Sequence, residues 1–194
     1  MKVYQELTLL PNAEVSVNFL WEKIYRQIHL ALVELQGIEG KVSVGVSFPE
    51  YREESHLGNK LRLFAQEDVH LKRMYIKKWL SRLEDYVHVS SVRDVPATVT
   101  QYAVFKRKRP NKTLVNQAIR KAKREGITVE EAVVALGEYK RELLKEPFLM
   151  INSSSTRQRF PLFIEKKAVE QTVAAGCFTT YGVNSGLCAA VPDF

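Results

Sequence analysis

Eight apolar residues between positions 17 and 35 constrain this chain most. Val17, Leu20, Trp21, Ile24, Ile28, Ala31, Leu32 and Leu35 recur at the three- and four-residue spacing of one helix face, and the stripe runs through to Gly37. Residues 2 to 10 before it read as a strand ended by Pro11. After it, Val42, Val44, Val46 and Phe48 alternate with Ser43, Gly45 and Ser47, the pattern of a half-buried strand stopped by Pro49. Leu61 to Phe64 predict a further short strand. Asp68 can cap a helix carrying Leu71, Tyr75, Ile76, Trp79, Leu80 and Leu83, and Tyr86 to Val92 read as a fourth strand. The order β-α-β-β-α-β is that of a split βαβ, ferredoxin-like unit.

The pattern changes after Pro96. Residues 98 to 105 predict a strand, and a helix from about Thr113 to Arg124 closes at Gly126. Leu114, Val115, Ala118, Ile119 and Ala122 share one of its faces; Asn116, Gln117, Arg120, Lys121 and Arg124 share the other. Thr128 and Glu131 have capping-box spacing and open another helix that should end before Pro147. Short strands are expected around 147–151, 160–164 and 177–182. The expected class is α+β, with a ferredoxin-like domain over residues 1–95 and a mixed part over 96–194 carrying a basic helix at 112–125.

Charge locates a partner. Lys106, Arg107, Lys108, Arg109, Lys112, Arg120, Lys121, Lys123 and Arg124 fall within 19 residues that contain no acid. The net charge is +7, and the remaining lysines and arginines are fewer than the 22 acidic residues, so this segment supplies the whole excess. Concentrated Lys and Arg favour a polyanion through counterion release. A solvated helix face is the plainer explanation of any charge run.

Several classes are disfavoured. The N-terminus lacks a signal-peptide layout and no apolar run approaches the roughly 20 residues that span a bilayer, so a cytoplasmic protein is expected. Cys177 and Cys188 are the only cysteines, and no His or Cys cluster has metal-ligand spacing, so neither a disulfide framework, a metal nor a cofactor is expected. Phosphate-loop and aromatic RNA-recognition signatures are absent.

Cutting RNA without metal needs a base for a 2′-hydroxyl, groups that hold the reacting atoms in line, and donors for the charged phosphorane. His29, His56, His70 and His88 are the candidate bases. His29 stands about 100° beyond Ile28, at the border of the buried stripe, where a side chain can face a cleft. Ser153, Ser154, Ser155 and Thr156 offer hydroxyls at a strand end, followed by Arg157 and Arg159; an ordinary polar turn has the same composition. Tyr181, within Phe178-Thr179-Thr180-Tyr181-Gly182, fits an alternating strand. Phe160 fits either the core or a stacking platform.

Ile28-His29-Leu30-Ala31-Leu32-Val33, Gly45-Val46-Ser47-Phe48-Pro49, Leu57-Gly58 with Leu61-Arg62, Ser153 to Thr156, Phe160 with Leu162-Phe163-Ile164, and Phe178 to Gly182 resemble, in order and spacing, the CRISPR RNA-processing endoribonucleases of subtype I-F. The resemblance implies binding of a CRISPR repeat stem-loop, cleavage at the 3′ base of the stem, and retention of the guide RNA alongside other subunits of an interference complex. It implies His29 as general base, Ser153 as the residue that helps place the 2′-hydroxyl, and Tyr181 as the residue that orients the histidine. Ser155 and Thr156 match residues contacting RNA near the cut, and Phe160 the aromatic stacked under the last base pair. The expected products are a 2′,3′-cyclic phosphate and a 5′-hydroxyl. The chain departs from the family's arginine-dense helix, since Asn116, Gln117 and lysines share the surface and lysine lacks arginine's bidentate fork. Lys106 and Arg107 lie near the expected base-reading positions. A non-catalytic RNA-hairpin-binding subunit is the alternative reading, and a basic DNA-binding regulator a third.

Overall fold

The computed structural model describes residues 1–12, 14–110, 113–137, 143–153, 157–170, 178–184 and 189–194. These form a mixed α/β structure with two antiparallel sheets. Two compact units result: Met1–Lys108 with Glu146–Phe194, and Arg109–Lys145.

In the first unit, strand β1 (Val3–Leu9) leads into helix α1 (Val17–Glu39). Ser16 caps α1 by accepting from the Phe19 amide, and Gly40 ends it at φ +72°, returning its amide to Gln36. Leu20, Trp21, Ile24, Ile28, Ala31, Leu32 and Leu35 are buried. Each large side chain among them contributes about 1.5–3 kcal/mol on leaving water, so tertiary burial rather than intrinsic propensity holds the helix. Trp21 also needs a partner for its indole N–H, and donates to the Gly58 carbonyl at 2.8 Å.

Strands β2 (Gly45–Ser47), β3 (Lys60–Ala65), β4 (Val87–Val89) and β5 (Arg93–Asp94) complete the first sheet, ordered β2-β3-β1-β4 with β5 also pairing β1. β2 is buried on both faces rather than half-buried as its alternation suggests. The reason is Gly45: a Cβ there would come within 2.4 Å of the Phe178 ring, so a side chain distant in sequence covers the face expected to meet solvent.

The second predicted helix is broken. Helix α2 (Asp68–Met74) stops at Tyr75, whose φ of +43° is left-handed, and α3 (Ile76–Trp79) and a 3₁₀ turn (Ser81–Leu83) follow. Tyr75 is turned outward, 59% exposed, instead of joining the apolar stripe, and Glu67 rather than Asp68 occupies the cap without a side-chain bond. The predicted strand Tyr86 to Val92 is likewise shorter, reduced to β4, and β5 begins just beyond it at Arg93.

The second sheet holds β6 (Tyr102–Lys108), β7 (Phe148–Asn152), β8 (Arg159–Val169) and β9 (Val191–Pro192), ordered β7-β8-β6-β9. β6 begins and ends later than the expected 98–105. β7 and β8 form an antiparallel hairpin whose last register pair is Asn152 with Arg159. No strand spans 178–182; Phe178 and Asn184 make only isolated bridges. A continuous core joins both sheets, with Phe48 edge-on to Phe105 at 5.9 Å, so the expected boundary between residues 95 and 96 falls inside the first unit.

The second unit pairs α4 (Leu114–Glu125) with α5 (Val129–Leu136) around Ala118, Ala122 and Ala132. Thr113 and Gly126 cap α4, and the capping box at Thr128 and Glu131 opens α5. The predicted apolar face of α4 is only partly used: Ala118 and Ala122 are buried, while Val115 and Ile119 are exposed. Among the described residues no helix is long and apolar enough to cross a membrane.

Candidate active site

Glu22, Tyr25 and His29 lie three and seven residues apart on α1, which puts them on one side of the helix over two turns. That side meets the end of the β7–β8 hairpin and a turn at residues 178–184.

The turn is fastened from several directions. The Gly182 amide donates to the Thr179 carbonyl at 2.8 Å, and the Thr179 amide and hydroxyl both donate to the Val183 carbonyl at 2.9 Å. Gly182 has φ +69°, and a Cβ there would lie 2.4 Å from Val46 Cγ1, so both conformation and space demand glycine. The Val46 amide of β2 donates to the Gly182 carbonyl, and the Asn184 amide donates to Phe105 of β6. The turn therefore presents two successive carbonyls to α1 in fixed positions.

Tyr25 Oη donates to the Tyr181 carbonyl at 2.7 Å. Burial, with Tyr181 as the lesser cause, pushes the Tyr25 hydroxyl far above the usual tyrosine range, so it remains a donor. One turn later, His29 Nδ1 lies 2.8 Å from the Thr180 carbonyl oxygen. A carbonyl only accepts, so Nδ1 carries the proton and the neutral ring keeps its lone pair on Nε2. The Tyr181 ring stacks on the imidazole at 4.3 Å with an interplanar angle of 6°. His29 is half-buried and fixed both in its plane and across its face. An imidazole held in this way is able to accept a proton at Nε2.

The other histidines are placed differently. His70 Nδ1 is 2.8 Å from Glu39, whose carboxylate also accepts from Arg73 and Ser43. His56 and His88 are exposed. Among the described residues no cluster of three or more His, Cys, Asp or Glu side chains could hold a metal ion.

Ser153 follows β7 directly. Its amide donates to the Gln158 carbonyl at 2.9 Å, and its carbonyl accepts from Arg157, which sits at φ +54°. Asn152 Nδ2 and Arg159 Nη2, on either side of this connection, donate to Glu22 at 2.9 and 2.6 Å. Burial opposes ionisation of Glu22, but the bonds from Arg159 and Asn152 and the charge of Arg159 outweigh it and hold the carboxyl below the usual range. Glu22 and Tyr25 escaped the sequence reading. An acid and a tyrosine inside an amphipathic helix look ordinary until partners more than 120 residues away are known.

Phe160 of β8 is half-buried, with the Arg107 guanidinium 4.8 Å from its ring centroid. Two of the expected RNA-binding lysines are engaged in ion pairs: Lys106 with Glu165 at 2.9 Å, and Lys108 with Glu146. On α4, Asn116, Arg120, Lys123 and Arg124 are exposed, and Glu125 pairs with both Lys121 and Arg124. Arg109 is exposed. Lys112, Ser154, Ser155, Thr156, Cys177 and Cys188 lie outside the described residues.

A family model described as CRISPR-associated protein (Cas_Csy4) matches residues 4–194. The chain belongs to this family. Two Csy4-family relatives, each named CRISPR-associated endonuclease Cas6/Csy4, align over essentially the whole chain. The Pseudomonas aeruginosa (strain UCBPP-PA14) protein is 30% identical, covering 96% of this chain and 97% of its own. The Escherichia coli (strain UTI89 / UPEC) protein is 28% identical, covering all of both chains. A solved structure titled CRISPR associated protein Cas6 covers 99% of this chain and 98% of its own at 13% identity, with a TM-score of 0.36, too low to bear on the argument.

Proposed function

We propose that this Csy4-family endonuclease binds the stem-loop of a CRISPR repeat RNA, cuts at the 3′ base of the stem, and remains on the mature guide RNA as a subunit of an interference complex. His29 is the general base. Its Nε2 takes the proton of the 2′-hydroxyl; O2′ then bonds to the adjacent phosphorus as the P–O5′ bond breaks, and the leaving 5′-oxygen takes its proton from water. The products are a 2′,3′-cyclic phosphate and a 5′-hydroxyl. Tyr181 holds the imidazole and Ser153 places the nucleophile. Ser155 and Thr156 contact the RNA near the cut, and Phe160 stacks under the last base pair. Phosphates are held by Arg120, Lys123 and Arg124 of α4, with Lys112, Asn116, Lys121, Arg109 and the strand residues Lys106, Arg107 and Lys108.

The observation that carries this reading is the 2.8 Å contact between His29 Nδ1 and the Thr180 carbonyl, which directs the free lone pair to Nε2. The sheet order β2-β3-β1-β4, with α1 and the α2–α3 pair between strands, supports a ferredoxin-like reading of the first sheet and its helices.

A synthetic RNA hairpin carrying the repeat from the host's CRISPR array tests the reaction. The protein should cut it in EDTA, leaving a cyclic phosphate, and should bind but not cut a hairpin with 2′-deoxy at the nucleotide upstream of the scissile phosphate. Binding without cutting of the all-RNA hairpin would make the protein a non-catalytic hairpin-binding subunit. Equal affinity for a DNA hairpin of the same sequence would point to a DNA-binding regulator.

A further inference from the structure

We infer that Glu22 is a positioning residue that sets the Ser153 connection in register with His29, an inference that rests on the proposed cutting reaction. Glu22 is 8% exposed and lies on the helix that carries His29, seven residues before it. At about 1.5 Å rise per residue the two are roughly 10 Å apart on one rigid side of α1.

The carboxylate reaches both strands of the β7–β8 hairpin at once. Asn152 and Arg159 form the last register pair before the connection, and each donates to a different oxygen of Glu22. Ser153 is the next residue after Asn152, and its amide closes the connection on Gln158. Both ends of the segment that supplies Ser153 are thereby tied to the element that supplies the base.

A charge at this position needs a reason. Neighbouring buried positions of α1 are Leu20, Trp21, Ile24 and Tyr25, and a buried carboxylate is costly to desolvate even when paired. An apolar side chain would pack there without that penalty, but it would leave the hairpin end free to slide. Two directional bonds to one carboxylate fix it. Attack by a 2′-hydroxyl requires alignment to a fraction of an ångström, which makes such a tie matter more for rate than for affinity.

Single-turnover cleavage of the repeat hairpin by Glu22→Ala, Ser153→Ala and the double variant tests this, with binding measured in parallel. Glu22→Ala should slow cutting by about ten- to a hundredfold at saturating protein, with hairpin affinity unchanged. Because Glu22 acts through Ser153, the double variant should cut within about twofold of Ser153→Ala alone. Multiplied losses, a wild-type rate in Glu22→Ala, or an affinity loss equal to the rate loss would each overturn the inference. Should Glu22→Ala fail to fold, Arg159→Ala, which removes one of the two bonds from the exposed partner, gives the same comparison with a smaller loss of rate. If the wild-type protein binds the hairpin but leaves it whole, the cutting reaction itself is refuted. Amide exchange at Ser153 and Arg157 then decides the tie: faster exchange in Glu22→Ala supports it, and unchanged exchange overturns it.

Discussion

Tyr25→Phe removes one oxygen atom from the core and leaves the shape of the side chain intact. Tyr25 is fully buried, so the change opens no cavity of consequence, and its effect isolates the 2.7 Å bond to the Tyr181 carbonyl. Losing a buried hydrogen bond and leaving its acceptor unsatisfied costs about 1–3 kcal/mol. For a chain of this size each kcal/mol lowers the thermal midpoint by about 2–4 °C, so the midpoint should drop by several degrees. The consequence for cutting is separate. The Tyr181 carbonyl is one peptide from the Thr180 carbonyl that holds His29, and the Tyr181 ring covers the imidazole. Loosening the first disturbs both, so single-turnover cleavage measured well below the midpoint should fall about tenfold or more with hairpin affinity preserved. A Tyr25→Phe protein with wild-type stability and wild-type cutting rate would refute this reasoning.

Other consequences are as accessible. Replacing Arg120 and Arg124 with Ala should flatten the log–log salt dependence of hairpin binding by about 1.5, since each phosphate contact contributes roughly 0.7–0.9; an unchanged slope would put the RNA elsewhere. Phe160→Ala should weaken binding by about 1–3 kcal/mol through lost stacking while circular dichroism stays native, and loss of the fold would return Phe160 to the core. Glu22 and Glu39 have lowered pKa values: burial alone would raise them, but for Glu22 the bonds from Arg159 and Asn152, and for Glu39 those from His70 and Ser43, outweigh it. A depressed carboxylate contributes stability that is full above the ordinary glutamate value near pH 4.3 and is lost as pH falls through the folded value. Urea midpoints should therefore decline below about pH 4.5, and more shallowly in Glu39→Gln than in the wild type.

How far the sequence carried depends on where each residue's partners lie. The α1 stripe was legible because its spacing alone distinguishes a buried helix face, and His29 was legible as a border residue of that stripe. The caps at Gly126 and Thr128 are local chemistry and appear as expected. The alternation of Val42 to Phe48 misled because the ring that covers its second face belongs to Phe178. Phe178 to Gly182 carries the aromatic pattern of a strand, yet Gly182 takes a left-handed conformation and closes a turn. Local periodicity cannot register a tertiary anchor such as the Val46 amide. Tyr75 breaks a helix that its neighbours' spacing would continue, since burial of Leu71, Met74 and Ile76 is met by turning the chain there. Glu22 illustrates the same limit at the site, because its meaning rests on Asn152 and Arg159.

The oriented imidazole is tested most directly by single-turnover cleavage of the repeat hairpin with His29→Ala at saturating protein in EDTA. If Nε2 of His29 removes the 2′-proton, the variant should hold the hairpin as tightly as the wild type and leave it uncut over many wild-type half-lives. Cutting at the wild-type rate would contradict the assignment of His29 as the base.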